Sequence, residues 1–257
     1  MMLEAIKKVK ANNQIMTLHC EDEKELGPIM GCMNEGPKSE FFNVVGINNK
    51  SEWGMIQRDV ELLKQESCRY HVCHVSTKES VEIIKKAQEE GLDVTAEVSP
   101  HHLILSEEDI TSLDTNYKMN PPLRSLEDQK ALIDGFNNGV ISCIATDHAP
   151  HSIKEKEDHF STAPFGIIGL DMAFSTLYTN LITKRITTIE KVLYAMTEAP
   201  AQRFGIDHKL EVGYDANLTI IDINTFVKYT VDNIGSKSSN SPFMNKRLQG
   251  KICMTIK

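Results

Sequence analysis

Residues 140–151 read VISCIATDHAPH: a short apolar run that stops at a carboxylate and is followed at once by a histidine, a proline and a second histidine. Such a run, Val140–Thr146, suits a strand buried on both faces of a parallel sheet, and the polar cluster suits the loop at its carboxyl end. Working outward, the same unit recurs. Leu126–Asn138 has helical spacing and is ended by Gly139. Leu92–Val98 reads as a strand cut off by Ser99-Pro100. Thr77–Glu90 reads as a helix with Val81, Ile84 and Ala87 on its buried stripe, Thr77 or Ser76 as its cap and Gly91 as its stop. Arg69–Val75 and Ile15–Cys20 read as two more strands, with Glu52–Glu66 as a helix between them and Met2–Asn12 as a helix in front. Strand and helix alternate, which predicts an α/β protein with a parallel sheet.

Downstream, helices are expected near Ile168–Ile182 and Thr188–Met196. Ala216–Ile223 (ANLTIIDI) reads as a strand of a different structure, and the tail from Thr225, with its Gly/Ser/Asn cluster at Gly235–Ser241, as loop-rich. The 257 residues would fill an eight-stranded barrel of about 250 residues. Four strand-then-helix units fill only half of one.

Composition narrows the function. Lys and Arg number 28 against 36 Asp and Glu, a net charge of −8, and there is one Trp. With no basic stripe, this argues against nucleic-acid binding. No apolar run approaches the roughly 18 residues of a membrane span, and Met1–Lys10 is a charged amphipathic stretch, not a signal peptide. The six cysteines are scattered without a CxxC, which predicts reduced thiols and a cytoplasmic protein.

Three of the four strands end in a possible metal ligand: His19, His74 and Asp147. Side chains at the carboxyl ends of parallel strands converge on one site, and imidazole with carboxylate is a donor set of catalytic zinc. A lone His at a strand end is commonly a hydrogen-bonded structural residue; three at three strand ends weigh against that. His71, three residues from His74, should face the other way and is expected to be outward-facing or core. His101 and His102 are read as structural. Asp147 could take a proton from a water and return it to a leaving nitrogen. Asn120-Pro121-Pro122-Leu123-Arg124 is a rigid loop carrying an amide and a guanidinium, and Ala163-Pro164-Phe165-Gly166 could admit a ligand close to the backbone.

Together the strings LHCED (18–22), YHVCHVSTKES (70–80), TAEVSPHH (95–102), KMNPPLR (118–124), ATDHAPH (145–151) and APFGIIG (163–169) resemble the amidohydrolase superfamily, and within it the dihydroorotases of bacterial type. The resemblance runs from the first helix to about Ile223. It implies the region of strands 5–8 of a (β/α)₈ barrel at residues 1–205, followed at 206–257 by part of a small β domain. It also implies two zinc ions per complete site, with His19, His74 and Asp147 as ligands and Asp147 as catalytic proton shuttle. Asn120, His151 and the Phe165-Gly166 backbone match substrate-holding positions. The implied reaction is the reversible hydrolysis of dihydroorotate to carbamoyl aspartate in pyrimidine synthesis. Asn120 and His151 favour this over the related hydantoinases and allantoinases.

A complete member of that family begins with a His-x-His strand and carries a bridging carboxylate or carboxylated lysine. Neither stands before His19. The expectation is therefore a chain that lacks half of the metal site and depends on the missing amino-terminal half or on a homo-oligomer. A non-catalytic barrel piece that binds a partner is the remaining alternative.

Overall fold

In the computed structural model, which describes residues 1–26, 29–207 and 209–257, four strands form one parallel sheet in chain order. They are β1 (Ile15–Leu18), β2 (Arg69–Val72), β3 (Val94–Val98) and β4 (Cys143–Ile144). Strand order that never reverses belongs to a (β/α) barrel rather than to a doubly wound sheet. Helices α1 (Met2–Ala11), α2 (Lys50–Gln65), α3 (Lys78–Glu89) and α4 (Leu126–Asn137) precede or connect the strands.

One face of the sheet makes the main core. Met16, Tyr70, Val72, Val94, Ala96, Val98 and Ile144 pack on Ile6 of α1, Ile56, Val60 and Leu63 of α2, Val81, Ile84 and Ala87 of α3, and Leu132 and Phe136 of α4. The expected stripe of α3 is thus the buried one. Its cap is Thr77, whose Oγ1 accepts from the Ser80 amide, and Gly91 follows it at φ +81°. The opposite face carries polar groups. Thr17, His71 and Thr95 are register partners across three strands, and Glu97 pairs with Cys143.

The strands are shorter than their apolar runs. β1 stops at Leu18, β2 at Val72 and β4 at Ile144, so His19, His74 and Asp147 stand on the turns beyond them. Of the two readings of His71, outward-facing or core, the structure shows the core one. Pleat alternation does not extend past Val72, and His71 lies on the face opposite α1–α4, fully buried, with Nδ1 2.7 Å from Thr95 Oγ1, Nε2 3.1 Å from Glu97 Oε2 and its ring edge to face with Phe204.

After β4 come the helical segments Ala173–Leu177 and Tyr178–Ile182, then α5 (Ile189–Met196) and α6 (Glu198–Phe204). In the tail, the expected strand extends to Lys228 as β5 (Leu218–Lys228) and pairs antiparallel with β6 (Arg247–Ile256), a strand inside the stretch read as loop-rich; 229–246 between them is loop. Most residues of both strands are at least partly exposed; β6 still carries the alternation that marks a strand, with Leu248, Ile252, Met254 and Ile256 on the same alternate positions, whereas β5 does not. The base of this pair is held firmly. Tyr229, Phe243 and Leu248 join a second core with Ile167, Ile168 and Met172, and Ser175 Oγ donates to the Gly250 carbonyl. No helix among the described residues is long and apolar enough to cross a membrane.

Candidate active site

β1 and β2 run in register, with Leu18 opposite Val72. One residue past β1 and two past β2, the rings of His19 and His74 meet edge to face with Nδ1 of His19 3.0 Å from Nε2 of His74. Glu21 stands behind His19, its Oε2 3.7 Å from His19 Nε2, and its Oε1 accepts from Asn120 Nδ2 at 2.9 Å. The Glu21 carboxylate raises the His19 imidazole above its ordinary value against the opposing effect of burial, with smaller contributions from Glu52 and Asp147; in return His19, with Asn120, holds Glu21 below the usual carboxylate range. The structure therefore brings His19 and His74 together directly and ties Asn120 to His19 through Glu21; among the described residues Asp147 is not brought into direct contact with them.

The turn after His74 is built from α2. The Glu52 carboxylate, buried, accepts from the amides of Ser76 and Thr77 at 3.0 and 3.1 Å, from Thr77 Oγ1 at 3.1 Å, from Ser80 Oγ at 2.7 Å and from Ser76 Oγ. It also sits at the amino end of α3, where a negative charge is favoured. Arg124 is drawn into the same network. It is buried rather than offered to a ligand: Nε donates to Ser76 Oγ at 3.1 Å, and Nη1 to Asn34 Oδ1 at 3.1 Å and the Ile47 carbonyl at 2.7 Å. His102 is a satisfied core residue between Ser99 Oγ (2.7 Å) and the Pro121 carbonyl (3.0 Å), and burial brings it down to about 4. His101 is buried beside it, with Nε2 lacking a partner among the described residues. Burial, together with His102 and His74, keeps His101 neutral well below its usual range.

A second group gathers the loop after β4. His151 Nε2 donates to the Phe165 carbonyl at 2.8 Å. His148 Nδ1 accepts from the amides of Gly169 and Leu170 at 3.1 and 3.3 Å. Gly166 has φ +148°, and a Cβ there would lie 2.8 Å from Ala149 Cβ and 2.9 Å from His151 Cδ2. Its missing side chain is space used by Ala149 and His151. Both polar groups of Gly166 are engaged within the chain: the amide donates to the Lys118 carbonyl, and the carbonyl accepts from Lys156 Nζ and Asn240 Nδ2. Lys118 Nζ lies 4.5 Å from the centre of the Phe165 ring. Lys156, buried against three carbonyls and near Lys118, is lowered to about 8. His74 and Asp147 have positive φ, at +30° and +48°, a backbone state that clusters at functional sites.

The amidohydrolase family model matches residues 1–257. The chain belongs to the amidohydrolase family. It is 46% identical to a dihydroorotase of Bacillus cytotoxicus and 45% identical to one of Geobacillus thermodenitrificans, in each case over all 257 residues and 60% of the relative's length. The chain thus spans about 60% of the length of these curated relatives. Among solved structures, the L-hydantoinase (dihydropyrimidinase) of Arthrobacter aurescens superimposes with a TM-score of 0.88 at 28% identity, covering 99% of this chain and 58% of the other. Dihydropyrimidinase of Brevibacillus agri has the same fold, with a TM-score of 0.85 at 19% identity over the same shares.

Whether this amidohydrolase chain can hold a metal is a question of donors. Two imidazole ligands on one tetrahedral zinc, with bonds of about 2.0–2.1 Å, stand about 3.3 Å apart, close to the 3.0 Å between His19 and His74. His74 Nδ1, the ring nitrogen not engaged with His19, is buried with no partner among the described residues, so the ring still has an unfilled polar position. The donor types and spacing fit one edge of a metal site. The donor number is short: among the described residues no three His, Cys, Asp or Glu side chains form a group that could hold a metal ion.

Glu21, Glu52, His148 and Asn240 were not singled out in the sequence as functional. Glu21 lay inside a quoted motif, two residues from His19. For Glu52, in an ordinary amphipathic helix, and Asn240, in a polar tail, nothing local marked the role.

Proposed function

We propose that this chain carries the strand 5–8 portion of a dihydroorotase site and acts in the reversible hydrolysis of dihydroorotate to carbamoyl aspartate once the remaining ligands are supplied. The observation that carries this reading is the His19–His74 pair at the carboxyl ends of β1 and β2, with Asn120 tied to it through Glu21. Identity of 45–46% along the whole chain to dihydroorotases supports that substrate over hydantoin. The likeness of fold to an L-hydantoinase keeps a related cyclic amidase as the second reading.

In this reading His19 and His74 would hold one divalent metal and Asp147 would contribute to a second, zinc by family; when bound, these would supply Lewis-acid polarisation of the ring carbonyl. Asp147, on the turn after β4, takes the proton of the attacking water as the new C–O bond forms. It returns that proton to the ring nitrogen as the C–N bond breaks. Asn120 offers its amide to the ring. His151 and Phe165 face the substrate, with the His151 ring fixed by the Phe165 carbonyl.

The sheet ends in β1 on one side and β4 on the other. Unpaired sheet edges favour pairing with further strands, which suits completion by the rest of a barrel or by a second copy. The test is dihydroorotate hydrolysis by the purified chain with zinc, alone and mixed with a polypeptide carrying the His-x-His half of a dihydroorotase barrel, with Asp147→Ala as control. Turnover that disappears in the control supports the reading. A folded, zinc-loaded mixture that opens hydantoin but not dihydroorotate overturns it.

A further inference from the structure

We propose that Asn240 is a positioning residue of this site, its amide setting the distance between the loop that bears His151 and the loop that bears Phe165 and Gly166. The inference rests on the reading of those three residues as substrate-holding.

Asn240 lies 89 residues after His151 and is buried. Every polar group of its side chain is spent on the two loops. Oδ1 accepts from the His151 amide at 3.2 Å, while Nδ2 donates to the Ala149 carbonyl at 3.0 Å and to the Gly166 carbonyl at 3.1 Å. Its own carbonyl accepts from the Ile168 amide at 3.0 Å. A primary amide has two N–H donors and one carbonyl acceptor, so this geometry matches one acceptor on the first loop, one on the second and one donor on the first. The only other groups that could mimic it at this length carry the wrong pattern: a carboxylate has no donor, and a leucine has neither.

The anchor behind it is rigid. Phe243 and Met172 pack in the second core, and Ser241 Oγ contacts Met172 Sδ. Asn240 therefore reaches the site from a fixed base rather than from a free tail. What it fixes is specific: the Phe165 carbonyl must lie within hydrogen-bond reach of His151 Nε2, now 2.8 Å away. That bond holds a neutral His151 as the Nε2–H tautomer and leaves Nδ1 as the acceptor. Moving the loops apart by one ångström breaks it. Asn240 touches the backbone of the substrate loops and acts through His151.

The experiment compares wild type, Asn240→Asp and Asn240→Ser, with Asn233→Asp as a control in a surface turn. It reads the ¹⁵N signals of the His151 ring, assigned through His151→Gln, amide exchange at His151 and Ile168, and the affinity for dihydroorotate. In Asn240→Asp one carboxylate oxygen keeps the His151 amide while the other, in place of Nδ2, faces the Ala149 and Gly166 carbonyl oxygens. The expected result is a His151 ring that samples both tautomers, amide exchange at least tenfold faster at both positions and dihydroorotate affinity at least tenfold weaker, with the control unchanged. If the aspartate variant does not fold, Asn240→Ser, too short to span both carbonyls, is read in the same way. A folded variant with wild-type ring signals and exchange overturns the proposal. Wild-type protein that fails to bind dihydroorotate, while Asn240→Asp still frees the His151 ring, removes the substrate reading and leaves the positioning role standing.

Discussion

His19 Nδ1 lies 3.0 Å from His74 Nε2, across 55 residues of sequence. The contact exists because β1 and β2 are hydrogen-bonded neighbours in register and both chains turn off the sheet immediately afterwards. If the pair is one edge of a metal site, the chain binds zinc with fewer ligands, and so more weakly, than a full site. His19→Ala and His74→Ala should each weaken zinc binding by at least tenfold, read by competition with a chromophoric chelator. Equal affinity in wild type and both variants would show that zinc goes elsewhere.

Asp147 holds a left-handed backbone at φ +48°, which glycine adopts without steric cost. Asp147→Gly should leave the melting midpoint unchanged or raise stability by about 0.5–1 kcal/mol, while abolishing dihydroorotate turnover in the completed assembly. Loss of stability together with activity would make Asp147 a structural turn residue.

Glu52 accepts five hydrogen bonds from the turn that follows His74. Glu52→Ala leaves those buried donors unpaired and should cost roughly 3 kcal/mol of stability in urea unfolding. Zinc affinity should fall with it, since the His74 turn loses its brace. A change below about 0.5 kcal/mol would mean that water replaces the carboxylate freely.

Gly166→Ala places a methyl against Ala149 and His151 at a backbone angle that L-residues avoid. Destabilisation of about 1–3 kcal/mol is expected, with weaker dihydroorotate binding measured by calorimetry. Wild-type binding by a folded Gly166→Ala would show that the loop has room to spare.

His102 gives the fold an acid limit. Burial lowers it to about 4, against an ordinary 6.5, so between these values the unfolded chain binds a proton that the folded chain does not. Stability is therefore fully present above about 6.5 and lost as pH falls toward about 4, by up to roughly 3 kcal/mol. His102→Gln should flatten that part of the pH–stability curve. An unchanged slope would place the acid sensitivity on other groups.

The sequence by itself determined the features that local chemistry controls. The stripe of α3 with its Thr77 cap and Gly91 stop, the alternation of strand and helix, and the placing of His19, His74 and Asp147 at strand ends all follow from short-range spacing and backbone preference. Only the tertiary structure decided which of these groups meet. Strand register brought the His19 and His74 rings together and aligned His71 with Thr95 on the polar face. Burial turned Arg124 from a possible substrate contact into a brace for Ser76 and Ile47. Arg247–Ile256 does alternate apolar and polar residues locally, but its antiparallel partner, Leu218–Lys228, is set only by the tertiary pairing. Asn240 reached His151 and Gly166 from a remote segment. Hydrogen bonds between residues tens of positions apart depend on how elements pack, and no local pattern encodes that geometry.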